Sequence, residues 1–334
     1  MPAGWNLTSG ELSRFHIELE KYWAHFNFVF SDACRKRSTY KFGLIKAIID
    51  CLYSAELTAR GMELSYEHIF SKFTENYWNL IAKYDICQIR PDGKTNISMI
   101  EKLIYEVRDR HAALSVIEFE NLNDDDRIAL IALVKKECRK NVVGALFQDF
   151  NGELYGFDHK EDRIWLHLCA YNFLMTYKIE IEQMNYYAWA KFLDKINRNN
   201  PPVQLIEKLE LSTPQRKNLS VFRDILRKEF ESNNCFYCGS KLETGTHVDH
   251  VLPWSFVKSD HLWNFVLACP KCNTKKKDLL PSKQKLAEVT TRNQEMISNQ
   301  DPFIHKELVG YSEDLMWKIW DYAHRQGYRV FDAI

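Results

Sequence analysis

The sequence has little of what defines several protein classes. Its 334 residues include only 12 Gly and 9 Pro, below the usual shares of about 7% and about 5%, which disfavours a turn-dense all-β sandwich. No stretch approaches the ~18 continuous apolar residues of a spanning helix, and the first residues lack the basic and apolar regions of a signal peptide. We therefore expect a helix-rich, cytoplasmic protein with no membrane partner.

The chain also has no net charge. Lys+Arg and Asp+Glu both number 45, which excludes a polybasic tail protein. The balance hides a modest local excess, because residues 201–300 hold 15 basic against 11 acidic side chains. An excess of this size does not by itself indicate a nucleic-acid partner.

The nine cysteines are an odd number in a chain with no secretion signal. A disulfide framework is therefore disfavoured, and any organised cysteines are expected to bind a metal. Five cysteines are isolated, which is typical of small buried hydrophobic residues. The other four form two CxxC pairs, a spacing that lets two thiolates of one tight turn bind a tetrahedral ion. The pairs predict a closed structural zinc site of Cys235, Cys238, Cys269 and Cys272.

The two pairs are separated by 30 residues, 239–268, more than the about 15–20 of a plain zinc finger. A further element must lie between them. This stretch carries Asp249 beside His250, then Asn264, and Asn273 follows the last cysteine. Two oxygen ligands suit a hard divalent ion such as Mg²⁺, and a neutral imidazole can take a proton from water. The set is what a one-metal phosphodiesterase needs.

Residues 235–282 resemble the HNH nuclease family, whose ββα-metal motif combines a CxxC, a DH followed by a proline, a central asparagine, a CxxCN and a lysine. The matching positions are Cys235, Cys238, Asp249, His250, Pro253, Asn264, Cys269, Cys272, Asn273 and Lys276. The stretch VDHVLPWSFVKSDHLWNFVL is also similar to the HNH domain of RNA-guided CRISPR effectors, which lack the cysteines.

The resemblance implies a role for each matched residue. His250 is implied to be the general base, and Asp249 and Asn273 the ligands of a catalytic Mg²⁺ or Mn²⁺. Asn264 is implied to fix the hairpin loop and to orient His250. Lys276 is expected to contact the substrate, as are its neighbours Lys275 and Lys277, for which a solvated basic face is the alternative.

Two local points qualify the site. Asp249 and His250 would point to opposite faces of a regular strand, so sharing one site requires the strand to kink or end there, near Pro253. His247 lies on the same strand face as Asp249 and could assist the metal, but the expected role is a surface or supporting histidine.

Hydrophobic periodicity predicts helices over most of the first 200 residues. An Asn151-Gly152 pair between aromatic-rich arms predicts a two-stranded hairpin near 145–157. A polar run that ends in Pro201-Pro202 predicts a domain boundary. Helical periodicity is expected in five ranges before this boundary, four of them before the hairpin and one after it: 40–53, 65–84, 97–111, 124–141 and 164–196.

The expected fold class is α+β and mostly helical, with a helical N-terminal domain (1–200), a ββα-metal HNH nuclease domain with a four-cysteine zinc site (201–290), and C-terminal helices (291–334). The expected function is metal-dependent hydrolysis of phosphodiester bonds. DNA is favoured over RNA, and bacterial restriction or anti-phage defence is an analogy. The alternative is a non-catalytic, zinc-stabilised protein that binds nucleic acid or recruits a partner through residues 1–200. One catalytic centre should nick, so cutting both strands would call for a homodimer or sequential nicking.

Overall fold

The computed structural model describes residues 6–13, 17–91, 93, 96–110, 118–198, 202–211, 219–230, 233–242, 245–297, 301–308 and 311–331. The chain forms two compact units, Met1–Pro214 and Gln215–Ile334. Part of the boundary expected before Pro202 lies outside the described residues. Throughout the described ranges, every helix is too short or too polar to span a lipid bilayer.

The first unit is mainly helical, as the periodicity predicts. Ser65 caps its third helix by accepting a hydrogen bond from the backbone N–H of His68 at 3.2 Å. Its described helices are α1 (Leu19–Phe30), α2 (Tyr40–Cys51), α3 (Tyr66–Trp78), α4 (Met99–Arg110), α5 (Asp124–Asp149), α6 (Leu168–Thr176), α7 (Lys178–Ile196) and α8 (Leu205–Leu211).

An antiparallel five-stranded sheet accompanies these helices, with the strand order β1-β4-β5-β3-β2. The strands are β1 (Ser9–Gly10), β2 (Glu56–Thr58), β3 (Gly61–Ser65), β4 (Tyr155–Asp158) and β5 (Arg163–Leu166). The helix expected over 164–196 therefore begins as a strand and continues as α6 and α7.

The structure places the hairpin further along the chain than 145–157. Residues 145–149 are the end of α5, and the strands that pair are β4 and β5. Asn151 and Gly152 have positive φ of 54° and 67°, but they end the helix, because the Gly152 N–H donates to the Phe147 carbonyl at 2.9 Å. A left-handed residue pair suits a helix C-cap as well as a hairpin turn.

The interior of the first unit is rich in aromatic side chains and contains two buried lysines, Lys46 and Lys178. Trp78, Trp189 and Tyr66 are among its largest fully buried residues. Lys46 is 1% exposed, and its ammonium pairs with Asp50 and lies 3.2 Å from a Glu182 carboxylate oxygen. Burial opposes the charge on this lysine, but the neighbouring carboxylates raise its pKa above the ordinary value.

The second unit is a short hairpin surrounded by helices. Its strands are β6 (His247–His250) and β7 (Phe265–Ala268), which pair antiparallel with His250 opposite Phe265. Its helices are α9 (Ser220–Phe230), α10 (Trp254–Val257), α11 (Pro270–Lys276), α12 (Lys283–Ile297), α13 (Pro302–Glu307) and α14 (Glu313–Arg325). The order β6, β7, α11 is the expected ββα arrangement.

The helices after the hairpin pack within the same unit. On α12, Arg292 donates to the backbone carbonyl of Phe265, and Asn293 donates to that of Trp263 at 2.8 Å. Trp320 of α14 donates to the Pro281 carbonyl at 2.8 Å. The contacts of Arg292 and Asn293 hold the entry to β7. The fold class is thus confirmed as α+β and mostly helical.

Candidate active site and metal centre

The four cysteines of the two CxxC pairs come together in the second unit. Their sulfur atoms all lie within 4.8 Å of one another, and those of Cys238 and Cys269 are 3.9 Å apart. Four zinc–sulfur bonds of ~2.3 Å in a tetrahedron require sulfurs roughly 3.8 Å apart. The cluster therefore fits a structural zinc ion, as the spacing predicts.

The electrostatics of the four thiols also favour a cation. A hydrogen bond from Ser240 is the main reason that the pKa of Cys238 falls to about 6, and the pKa of Cys269 is lowered as well. Burial, with the neighbouring thiols, raises the pKa of Cys272. Four neighbouring thiols cannot all ionise to thiolates without a positive charge between them. A zinc ion would supply that charge.

The strand face that carries His247 and Asp249 faces helix α11. Asn273 of that helix donates from Nδ2 to Nδ1 of His247 at 2.8 Å, which leaves the Asn273 amide oxygen as an acceptor. His247 is exposed, and Asn273 is half-buried. The histidine expected to be supporting is thus the direct partner of Asn273.

Asp249 is buried and is held by two donors. The Tyr237 hydroxyl donates to Asp249 Oδ2 at 2.6 Å, and the Lys276 ammonium lies 3.4 Å from the same oxygen. Burial, then the Asp249 charge, raises the pKa of Tyr237 well above its ordinary value, so the phenol keeps the proton that it donates. Asp249 Oδ1 and the Asn273 oxygen are the hard oxygen donors that Mg²⁺ prefers, and they lie on facing elements.

His250 occupies the other face of β6. Its ring packs against Phe265, its cross-strand neighbour, with centroids 4.8 Å apart. Its Nε2 lies 2.8 Å from Asp260 Oδ1, and both side chains are less than 10% exposed. The strand pairs regularly through His250 and ends there, which is one of the two outcomes expected near Pro253. Within the described ranges, no hydrogen bond or ion pair joins the His250 ring to Asp249 or Asn273.

Asn264 fixes the segment that connects the two strands. Its side-chain oxygen accepts from the Leu252 N–H at 2.8 Å, and its amide donates to the Leu252 carbonyl at 3.0 Å. Its own carbonyl accepts from the Val251 N–H at 2.8 Å. Asn264 is completely buried, so it holds the base of the loop that follows His250.

The three consecutive lysines lie in different environments. Lys275 and Lys277 are exposed at the end of α11, whereas Lys276 is fully buried. The Lys276 ammonium donates to the His250 carbonyl at 2.6 Å, and burial lowers its pKa. This placement differs from the substrate contact expected of Lys276, because a buried ammonium that bonds the backbone cannot reach a phosphate. It instead ties α11 to the end of β6.

Two residues of the site escape sequence reasoning. Tyr237 stands inside the first CxxC, where only the cysteines carry a recognisable pattern. Asp260 lies ten positions after His250, and no helix or strand period connects the two. A carboxylate between a DH and the central asparagine is the only signal that could have indicated Asp260.

Comparison with known proteins supports the reading of the second unit. Residues 235–279 match the model of the HNH endonuclease family. Residues 32–145 match a second family, described as a domain of unknown function (DUF8808). No curated protein and no solved structure matches the chain.

The chain therefore contains an HNH endonuclease domain at 235–279, and the resemblance is confirmed over that segment. The domain indicates a nuclease-type function and implies binding of nucleic acid. The four-cysteine cluster adds a metal-binding group that fits structural zinc.

Proposed function

We propose that the protein is a metal-dependent endonuclease that hydrolyses phosphodiester bonds of DNA. The observation that carries the proposal is the ββα unit itself, in which Asp249 of β6 and Asn273 of α11 present oxygen ligands on facing surfaces. Lys276 ties both elements together at the end of the strand. The match to the HNH family over the same residues supports this reading.

Asp249 and Asn273 are the residues that would hold Mg²⁺. When bound, the ion supplies positive charge that stabilises the developing negative charge on the phosphate and on the leaving 3′ oxygen. The Lys276 ammonium, 3.4 Å from Asp249 Oδ2, holds the carboxylate against α11. The hydrogen bond from the Tyr237 hydroxyl to Asp249 Oδ2 fixes the orientation of the carboxylate.

His250 is the proposed general base. The Asp260 carboxylate, 2.8 Å from Nε2, favours the tautomer with a proton on Nε2, and Nδ1 is then the nitrogen that takes a proton from water. His250 is the last residue of β6. A phosphodiester that crosses the end of this strand would therefore meet the imidazole from one face and Asp249 from the other.

Exposed cations beside the site suit the backbone of the substrate. Lys275 and Lys277 lie at the solvent end of α11, where they would neutralise the flanking phosphates. Phosphate contacts carry no preference for sequence, and DNA rather than RNA is proposed from the family resemblance. A role in restriction or anti-phage defence belongs to the same proposal.

Incubation of the purified protein with supercoiled plasmid and Mg²⁺ tests this function. We expect open-circular product first, because the chain has one CxxCN, at 269–273, hence one centre of this motif. His250→Ala should lower the rate by about 10²–10⁴ while DNA binding persists. His261→Ala is the matched control, since His261 contacts Ser259 and stacks on Trp263 and should cleave normally.

Equal cleavage by His250→Ala and by the unchanged protein would overturn the proposed base. DNA binding with no cleavage at any Mg²⁺ or Mn²⁺ concentration would favour the alternative, a zinc-stabilised protein that binds nucleic acid without cutting it. His250 lies on one face of β6, whereas Asp249 lies on the other face, the one toward Asn273 of α11. This separation is the observation that favours the alternative.

A further inference from the structure

Helix α5 of the first unit is apolar on two sides. Residues 128–134 form an unbroken run of apolar residues, whereas a surface helix of a globular domain ordinarily has one apolar side and one polar side. Leu130 and Val134 are fully buried in the first unit. Ile128 and Leu133 of the same run are 63% and 43% exposed. One apolar face of α5 therefore belongs to the core, and a second apolar face is exposed.

This exposed side, which we call the outer face of α5, is a stripe of six residues with an apolar centre and opposite charges at its two ends. Its residues are all exposed: Asp125, Ile128, Ala129, Ala132, Leu133 and Lys136. At 100° per residue they lie within about 140° of one another around the helix axis, over about three turns. An exposed apolar patch that is rimmed by polar residues is typical of an interaction site.

The charges at the two ends of the outer face, Asp125 and Lys136, form no ion pair with any residue that the structure describes. Their neighbours on the same helix do form such pairs. Asp126 pairs with Arg110 at 2.9 Å, and Lys135 pairs at 2.9 Å with an aspartate of the turn between β4 and β5. The outer face therefore presents a carboxylate at its start and an ammonium group roughly 16 Å further along the helix, and both are available to a partner.

The outer face is complementary to a second copy of itself in the antiparallel direction. A two-fold axis between residues 130 and 131 places each residue of the stripe opposite one of matching character: the pairs across the axis are Asp125 with Lys136, Ile128 with Leu133, and Ala129 with Ala132. Because a two-fold contact repeats every pair, one stripe supplies two ion pairs and two pairs of large apolar residues. The parallel arrangement would instead place Asp125 against Asp125 and Lys136 against Lys136, where like charges repel.

We propose that the outer face of α5 joins two copies of this chain as an antiparallel, two-fold helix pair. The two alanines at the centre allow the helix axes to approach to about 8–10 Å, and Ile128 packs against Leu133 of the second copy on each side of the axis. Three turns per copy bury less than the ~1,200 Å² of a standard complex, so we expect a reversible dimer with a Kd in the micromolar range. The proposal concerns the first unit and does not depend on cleavage, although each dimer would carry two HNH domains.

Sedimentation equilibrium of the full-length protein from about 1 to about 200 μM, a range that brackets a weak complex, tests the dimer. We expect a reversible equilibrium between monomer and dimer. Leu133→Glu should weaken association at least about tenfold, because the two-fold axis places two carboxylates against apolar side chains in one interface. Leu57→Glu is the matched control, since Leu57 is 74% exposed on β2 of the same unit, and it should associate like the unchanged protein.

Exchange of the two end charges tests the direction of the helix pair. Asp125→Lys alone and Lys136→Asp alone each place like charges opposite one another at both ends, so each should weaken the dimer several-fold or more. An equal mixture of these two variants should associate about as well as the unchanged protein, because each supplies the charge that the other lacks. The double variant Asp125→Lys/Lys136→Asp should also associate normally. Glu20→Lys, at an exposed position of α1, is the charge control and should have no effect.

Thermal unfolding at a submicromolar concentration, where the chain is a monomer, checks that each variant folds, and restored association in the mixture excludes misfolding as the cause of a loss. A chain that stays monomeric up to about 200 μM would overturn the proposal. A dimer that Leu133→Glu leaves intact, or that Leu57→Glu weakens equally, would overturn it as well, because another surface would then join the copies. Failure of the mixture and of the double variant to restore association would reject the antiparallel pairing.

Discussion

The first and second units differ in what occupies their interiors. The first unit encloses large aromatic residues and a buried Lys46 that pairs with two carboxylates. The second unit encloses a short hairpin whose order depends on four cysteines, a buried asparagine and a buried Lys276. Both units bury apolar side chains, and the second adds a cluster of four cysteines that fits a metal ion.

Removal of zinc should separate the two units most sharply. A closed four-cysteine site contributes roughly 10–16 kcal/mol of apparent binding energy to folding, so Cys269→Ser or a chelator should abolish cooperative unfolding of the second unit and leave that of the first. Elemental analysis should find one zinc per chain. If the chelator changed neither unfolding transition, this difference between the two units would be rejected.

Replacement of the buried Lys46 should have the largest effect on the first unit. Lys46→Ala leaves the carboxylates of Asp50 and Glu182 buried without their cation, which costs about 3–5 kcal/mol. Denaturant unfolding should show the loss in the first unit alone. Lys136→Ala, at an exposed position of α5, is the control and should change the free energy of unfolding by less than about 0.5 kcal/mol.

Asp260→Asn tests a single polar contact of the second unit. An amide can present a donor to Nε2 of His250, which favours the wrong tautomer, so kcat should fall at least about tenfold while KM changes little. Asp224→Asn, at an exposed position of α9, should have no effect. A rise in KM with unchanged kcat would assign Asp260 to substrate binding.

Gly152→Ala tests local backbone geometry in the first unit and should have the smallest effect. Gly152 has a φ of +67°, and an added Cβ would lie 2.8 Å from the Phe147 ring. A left-handed alanine costs about 1–2 kcal/mol, which denaturant unfolding should detect as a shift of the first transition. An unchanged midpoint would show that the α5 C-cap is dispensable.

Prediction from sequence was most complete where chemistry restricts residue type and spacing. The two CxxC pairs predicted a cluster that the structure forms, and the helical periodicity located α2, α3 and α4 within a few residues. The resemblance implies that Asn264 fixes the hairpin loop, and its side chain bonds both the N–H and the carbonyl of Leu252. The catalytic roles of His250, Asp249 and Asn273 stay predictions.

Long-range pairing and burial were beyond the sequence. Strands β3 and β5 pair although about 100 residues separate them, and strands of four or five residues leave little periodicity to detect. Lys276 stands in a run of three lysines that suggests a solvated face, yet its neighbours are exposed and it is fully buried. Which lysine of such a run turns inward is set by tertiary packing, not by local pattern.

Helix α11 carries a consequence for how the domain tolerates change in length. It has seven residues, too few to be stable alone, and it is anchored at its start by Cys269 and Cys272 and at its end by Lys276. Asn273 lies between these anchors, directly after a cysteine. Relative to the cysteines, an insertion of one residue between Cys272 and Asn273 would rotate Asn273 by about 100° around the helix axis and remove it from His247, and one between Asn273 and Lys276 would rotate Lys276 in the same way. Variants that keep the function of the domain should therefore carry insertions or deletions outside this turn and never within it.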